Sequence, residues 1–162
     1  MIDVAIVTPR YPSDSAGGGE RSTELLASQL ATQNRIARVT VFSFDGEETT
    51  HKDGADIHRL GSISPFLTEY QNLAAYRRLR TRLDSFDIIH AYNMELHPVV
   101  GYLSEKLGVP SVATLNSYHF FPSAVSNTTA TGLQRFYERV GYPTTGRVLR
   151  HFMKQIDAFI AL

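Results

Sequence analysis

Three consecutive glycines, Gly17, Gly18 and Gly19, stand at the head of a helical pattern in the stretch "TPRYPSDSAGGGERSTELLASQLATQ", residues 8–33. Glycine costs backbone entropy and brings no side chain to pack. Three together either make a flexible turn or let a ligand approach the backbone closely. The chemistry offered by the second reading is anion binding, because the first amides of a helix have no intrahelical partner and the helix dipole favours negative charge there. Glu20 complements the dipole and competes with an incoming anion, and Arg21 can offset it. A P-loop would need Gly-Lys-Ser/Thr, and the chain contains no Gly-Lys. The dinucleotide fingerprint needs its glycines directly after a strand; here about nine residues intervene and Ser22 holds the third glycine position.

Other residue types narrow the chemistry further. His90, His97 and His119 are too widely spaced for a metal motif. With no cysteine, disulfides, thiolate zinc sites and a cysteine nucleophile are excluded. "NSYHFFP" (116–122) puts polar and aromatic groups in one loop, either to face a sugar ring or acyl chain or to anchor the loop through Phe120 and Phe121. "YRRLRTR" (76–82) and the run Arg135, Arg139, Arg147, Arg150, Lys154 are basic; a solvated surface is the favoured reading, and contact with anionic lipid the other. Asn127-Thr128-Thr129 fits a glycosylation sequon and, with no signal peptide before it, is expected to stay unmodified. His97, placed before Pro98, reads as a surface residue.

The elements that must position these groups alternate. Apolar, β-branched runs predict strands at 2–8, 38–44, 57–60, 86–92, 110–115 and 157–162. Between them lie helical patterns: from Gly19 to about Gln33, with Leu25, Leu26, Leu30 and Ala31 as the apolar stripe; 68–84; Pro98 to Leu107, stopped by Gly108; and 132–140 with 145–155, broken by "GYPTTG". Residues 45–56 and 116–131 read as loops. This alternation predicts an α/β fold, a doubly wound parallel sheet with helices on both faces. Ligands in such folds bind at the carboxyl ends of the strands, so the glycines, the turn after His90 and the loop after Leu115 are expected along one rim.

The totals agree with a single soluble domain of 162 residues, 43% hydrophobic and 20% charged. Lys plus Arg equals Asp plus Glu at 16 each, which gives no argument for nucleic acid. The N-terminus lacks the basic start and apolar stretch of a signal peptide, and no apolar run approaches the roughly 18 residues of a membrane span. A cytoplasmic location is expected, with peripheral contact to the inner membrane face left open.

The ordered set "GGGE" opening the helix "LLASQLA", then "VTVFSF", "FDIIHAYN", "GVPSVATLN" and "DAFIAL" resembles the N-terminal, acceptor-side domain of family 4 retaining glycosyltransferases, over nearly the whole chain. The resemblance implies a Rossmann-like sheet that is one of the two domains of a GT-B fold. It implies that residues 1–162 form the acceptor-binding half, that the donor-binding C-terminal domain is absent, and that the fragment alone is inactive. The glycine loop, Gly17, Gly18 and Gly19, would face the phosphates and sugar of a nucleotide-diphosphate sugar. His90, Asn93, Glu95, Asn116, Tyr118 and His119 would hold acceptor or sugar, with Asn116 standing where family members often carry His. No catalytic side chain is assigned; the family pattern needs no metal and no cofactor besides the sugar nucleotide. Partners would be the missing domain and a sugar or lipid-linked acceptor. The alternatives are a stand-alone sugar- or nucleotide-binding module and, against the long loop before the glycines, a nicotinamide-dependent oxidoreductase.

Overall fold

Strand β1 (Ile2–Val7) is apolar along most of its length because both of its faces are covered. In the computed structural model, which describes residues 1–12, 17–64, 67–116 and 139–161, its side chains alternate between two cores. Val4 and Ile6 pack with Val39, Val41 and Ala27 on the face of helix α1 (Gly18–Ala31). Ala5 and Val7 pack on the opposite face with Ala75 and Leu79 of α2 (Thr68–Leu79) and Val99, Val100 and Leu103 of α3 (His97–Leu107). Each fully buried Ile or Leu of this kind contributes about 1.5–3 kcal/mol.

The remaining strands are β2 (Ile36–Ser43), β3 (Glu47–Lys52), β4 (Ala55–Leu60), β5 (Ile88–Ala91), β6 (Ser111–Leu115) and β7 (Ala158–Ala161), and α4 spans Tyr142–Met153. Among the described residues they form one seven-stranded sheet in the order β3-β4-β2-β1-β5-β6-β7. Every pair is parallel except β3 with β4. The order reverses at β1, which pairs with β2 on one side and β5 on the other. A crevice opens at such a point, outside the carboxyl ends of the two strands.

The doubly wound α/β expectation holds, with three local corrections. Residues 45–56, read as a polar loop, contain β3 and the turn of a hairpin; Asp53 (φ 50°) and Gly54 (φ 81°) form its two-residue turn, the Asp-Gly signature of type I′. β3 lies at the sheet edge with nearly all its side chains in solvent, so no apolar alternation marks it. "GYPTTG" does interrupt the helical run, at the turn residue Gly141, but α4 starts at Tyr142 rather than at 145, because Pro143 fits its first turn. α2 ends at Leu79 rather than near residue 84. The patterned segment 132–138 and most of the loop 116–131 fall outside the described residues. α3 behaves as expected: Pro98 starts it, and Gly108 ends it in the left-handed conformation (φ 68°). α3 and α4 meet at Gly101, where a Cβ would lie 2.1 Å from the Phe152 carbonyl oxygen.

Candidate functional site

The residues after β1 are tied to the end of β2 before they reach the glycines. Thr8 N–H donates to the Phe42 carbonyl and Phe44 N–H to the Pro9 carbonyl, both at 3.1 Å. Asp45 then accepts from Tyr11 N–H (3.0 Å), from Ser43 Oγ (2.7 Å) and from the Arg59 guanidinium, which also donates to the carbonyls of Tyr11 and Pro12. Arg59 and Asp45 are mostly buried, so this charged clamp holds the loop firmly. Tyr11 is buried beneath it; desolvation, with Glu24 and Asp53 nearby, pushes its phenol up to about 12, so it stays protonated.

Past the loop, α1 starts at its glycines. Gly17 is the N-cap, extended at φ −78°, and no side chain caps the helix. The first intrahelical bond runs from Arg21 N–H to the Gly17 carbonyl, which leaves the amides of Gly18, Gly19 and Glu20 ahead of the ladder. Gly17, Gly18 and Gly19 are all exposed. A Cβ on Gly18 would meet nothing within 4 Å, and none of the three has a positive φ. Neither packing nor dihedral strain calls for glycine at position 18. A Cβ on Gly17 would lie 2.9 Å from Glu20 Oε2, so the Glu20 carboxylate folds back over the helix start.

The stretch "HAYNMELH", residues 90–97, carries β5 into a single 3-10 turn (Met94–Leu96) and then into α3. Its exposure alternates: Asn93 and Glu95 are half-exposed, while Met94 and Leu96 are buried. Asn93 joins three strand ends. Its Nδ2 donates to Thr8 Oγ1 (3.3 Å), Thr8 Oγ1 donates to the Arg10 carbonyl (3.0 Å), and Asn116 Nδ2 donates to Asn93 Oδ1 (2.6 Å). A Cβ on Gly19 would lie 3.8 Å from Asn93 Oδ1, so the glycine turn and this network are neighbours. The buried Asn72 pins the turn from the other side. Its Nδ2 donates to the carbonyls of Thr68 and Glu95, and its Oδ1 accepts from Val99 N–H, all at 2.8 Å. One amide thus fixes α2, the Glu95 turn and the start of α3 together.

These elements enclose a cavity of about 260 Å³ at the β1/β5 switch point. Pro9, Phe44, Ile63 and Leu96 give it apolar walls, and Arg10, Glu20, Gln71, Asn93 and Glu95 give it polar ones. Of the residues expected to bind acceptor, Asn93 and Glu95 line it, and Asn116 reaches it through Asn93. Tyr118 and His119 lie outside the described residues. Arg10, Gln71 and Asn72 were not picked out from the sequence; no local spacing marks them, since they arrive from a loop and a helix far apart in the chain.

The two histidines of "HAYNMELH" sit apart from the cavity. His90 is buried and its Nε2 lies 2.8 Å from Thr114 Oγ1; desolvation lowers its pKa to about 4. His97, read as a surface residue, is completely buried instead. Its ring lies 6.4 Å from that of Phe159 on β7. Neither ring nitrogen of His97 makes a full hydrogen bond among the described residues. Burial lowers its pKa to about 4; the carbonyls of Ala91 and Thr114 face the ring and offset part of that cost, while nearby His90 adds to it. Both imidazoles are therefore neutral at pH 7. Among the described residues no three His, Asp or Glu side chains cluster closely enough to hold a metal, and no helix is long and apolar enough to cross a membrane.

Residues 16–162 match the profile described as Glycosyltransferase Family 4. The chain belongs to that family. Solved structures agree at the level of fold. Sucrose-phosphate synthase from Thermosynechococcus elongatus superposes with a TM-score of 0.65 at 14% identity, over 99% of this chain and 47% of that one. A structure from E. coli described as trehalose-6-phosphate bound with UDP-2-fluoro glucose gives 0.58 at 16% identity, over 97% and 39%. A UGT transferase from Siraitia grosvenorii in complex with UDP gives 0.56 at 15% identity, over 99% and 44%. This family 4 chain thus has the Rossmann-like fold of a GT-B glycosyltransferase domain and spans less than half the length of each of these structures. No curated protein matches the sequence significantly.

Proposed function

We propose that this family 4 chain is the acceptor-binding half of a retaining glycosyltransferase. The transfer would move a sugar from a nucleotide-diphosphate sugar to a glycan, lipid or small-molecule acceptor. The observation that carries the reading is the juxtaposition at the β1/β5 switch point. The exposed glycines Gly18 and Gly19 start α1 beside a cavity with apolar and polar walls.

The chemistry asks for two things: a leaving diphosphate whose charge is stabilised, and an acceptor hydroxyl positioned beside the anomeric carbon on the leaving-group face. The amides ahead of the α1 ladder would donate to the diphosphate. Asn93, Glu95 and Gln71 would orient the acceptor, with Asn72 and the Arg59–Asp45 clamp keeping the walls in place. In the retaining course the acceptor oxygen bonds to the anomeric carbon on the face the diphosphate leaves, and the diphosphate takes the acceptor proton. This needs neither a carboxylate base in this chain nor a metal. A second, donor-binding domain would supply the remaining contacts to the sugar nucleotide.

The reading is tested by assaying sugar transfer with the chain alone and with the complete gene product, and by NMR of the anomeric configuration of the product. Transfer only by the complete protein, with the donor's configuration kept, is expected. Transfer by the chain alone, or an inverted product, contradicts it. Tight binding of nicotinamide dinucleotide to the chain would replace it.

A further inference from the structure

The charges around the cavity are unevenly placed. Arg10 is the one cationic lining residue among the described residues and is exposed. Glu20 and Glu95 are only half-exposed. Among the described residues neither carboxylate has a salt-bridge partner within 4.0 Å; Arg21 pairs with Glu24 and Arg59 with Asp45. Asn93 gives one N–H to Thr8 and accepts once from Asn116, which leaves its second N–H for a ligand. Of the described polar side chains lining the cavity, Gln71, Asn93 and Arg10 can donate hydrogen bonds, and the two carboxylates accept.

We infer that the cavity selects a sugar ring free of anionic groups, and that Glu20 and Glu95 are the residues that set this specificity. The inference rests on the acceptor reading above and deepens it. A volume of about 260 Å³ suits a single hexose-sized ring rather than an extended chain. The apolar walls from Phe44, Ile63 and Leu96 match the C–H face of a pyranose, and the two carboxylates accept from its hydroxyls. A phosphate or carboxylate on the ring would meet two carboxylates at close range, with the one guanidinium out in solvent, where its attraction is screened. An ammonium on the ring would meet the same two carboxylates favourably.

The test is ligand-observed NMR titration of the 162-residue chain with three matched sets of probes: glucose, galactose and mannose; their 2-amino counterparts; and their 6-phosphates. At least one neutral or amino sugar should bind at least about fivefold more tightly than its 6-phosphate. In Glu20→Gln/Glu95→Gln, checked for native folding by circular dichroism, that gap should close and the preference for the amino sugar should vanish. Equal or tighter binding of the 6-phosphates by the wild type overturns the inference. So does failure of every probe to bind, or a gap that survives the double substitution. Failure here is separable from failure of the transferase reading. Sugar transfer by the complete protein with an anionic acceptor would keep that reading and discard this inference. Selective binding of neutral rings without any transfer would do the reverse.

Discussion

One eight-residue stretch, "HAYNMELH", serves two regions of opposite character. Asn93 and Glu95 stand in a half-open cavity with polar neighbours from three other segments. His90 and His97, at the ends of the same stretch, are buried and stay neutral. The backbone path makes the difference. A strand leading through one 3-10 turn into a helix turns Asn93 and Glu95 toward the crevice, and Met94 and Leu96 toward the core. Residue type alone would rank the histidines as the chemical groups of the stretch. Burial reverses that ranking: the imidazoles belong to the buried support, and the amide and carboxylate face the cavity.

Acid should break the sealed side first. An unfolded His titrates near 6.5, and His90 and His97 are each depressed to about 4. Between those values the unfolded chain binds more protons than the folded one, so stability falls as pH drops. The contribution is fully present above about pH 6.5 and fades as pH falls through 4. By pH 4.5 the two groups together should cost about 4 kcal/mol, visible as a lower urea midpoint. His97→Leu should halve that loss, and at pH 7 it should cost at most about 1 kcal/mol because the ring makes no full hydrogen bond. An unchanged pH slope in this variant would mean that His97 is charged or exposed.

Asn72→Ala probes the seam between the two regions. It removes three hydrogen bonds and leaves the Glu95 carbonyl and Val99 N–H without their partner, so about 2–3 kcal/mol of stability should go. Amide exchange at residues 94–99 should quicken more than at β1. Uniform exchange would show that the turn is held by packing alone. On the open side, Glu95→Gln should change stability by no more than about 0.5 kcal/mol, since its carboxylate has no ion pair among the described residues. A drop of 2 kcal/mol or more would make Glu95 a structural residue like the histidines.

The sequence carried the doubly wound sheet because its central strands are buried on both faces and read as continuous apolar runs, "VAIV" in β1 and "VTVFS" in β2. Pro98 and Gly108 marked α3 through local backbone rules. The β3–β4 hairpin was hidden because an edge strand in solvent has no apolar face to alternate, although its Asp53-Gly54 turn was there to be read. For the candidate site, the glycines and Asn93 and Glu95 were legible, because a helix start and a strand end are local features. Arg10, Gln71, Asn72 and the burial of His97 depend on which segments fold over them from far along the chain, as Phe159 does beside His97. Such contacts leave no periodic trace along the chain.

Gly18 separates support from function most sharply, since its missing Cβ would touch nothing and its φ suits any residue. The decisive measurement is sugar transfer by the complete gene product carrying Gly18→Val, alongside its thermal midpoint. The account predicts a midpoint within about 2 °C of the wild type and transfer reduced at least about tenfold, because a side chain would stand between the α1 amides and the diphosphate. Transfer at the wild-type rate with the midpoint unchanged would contradict it.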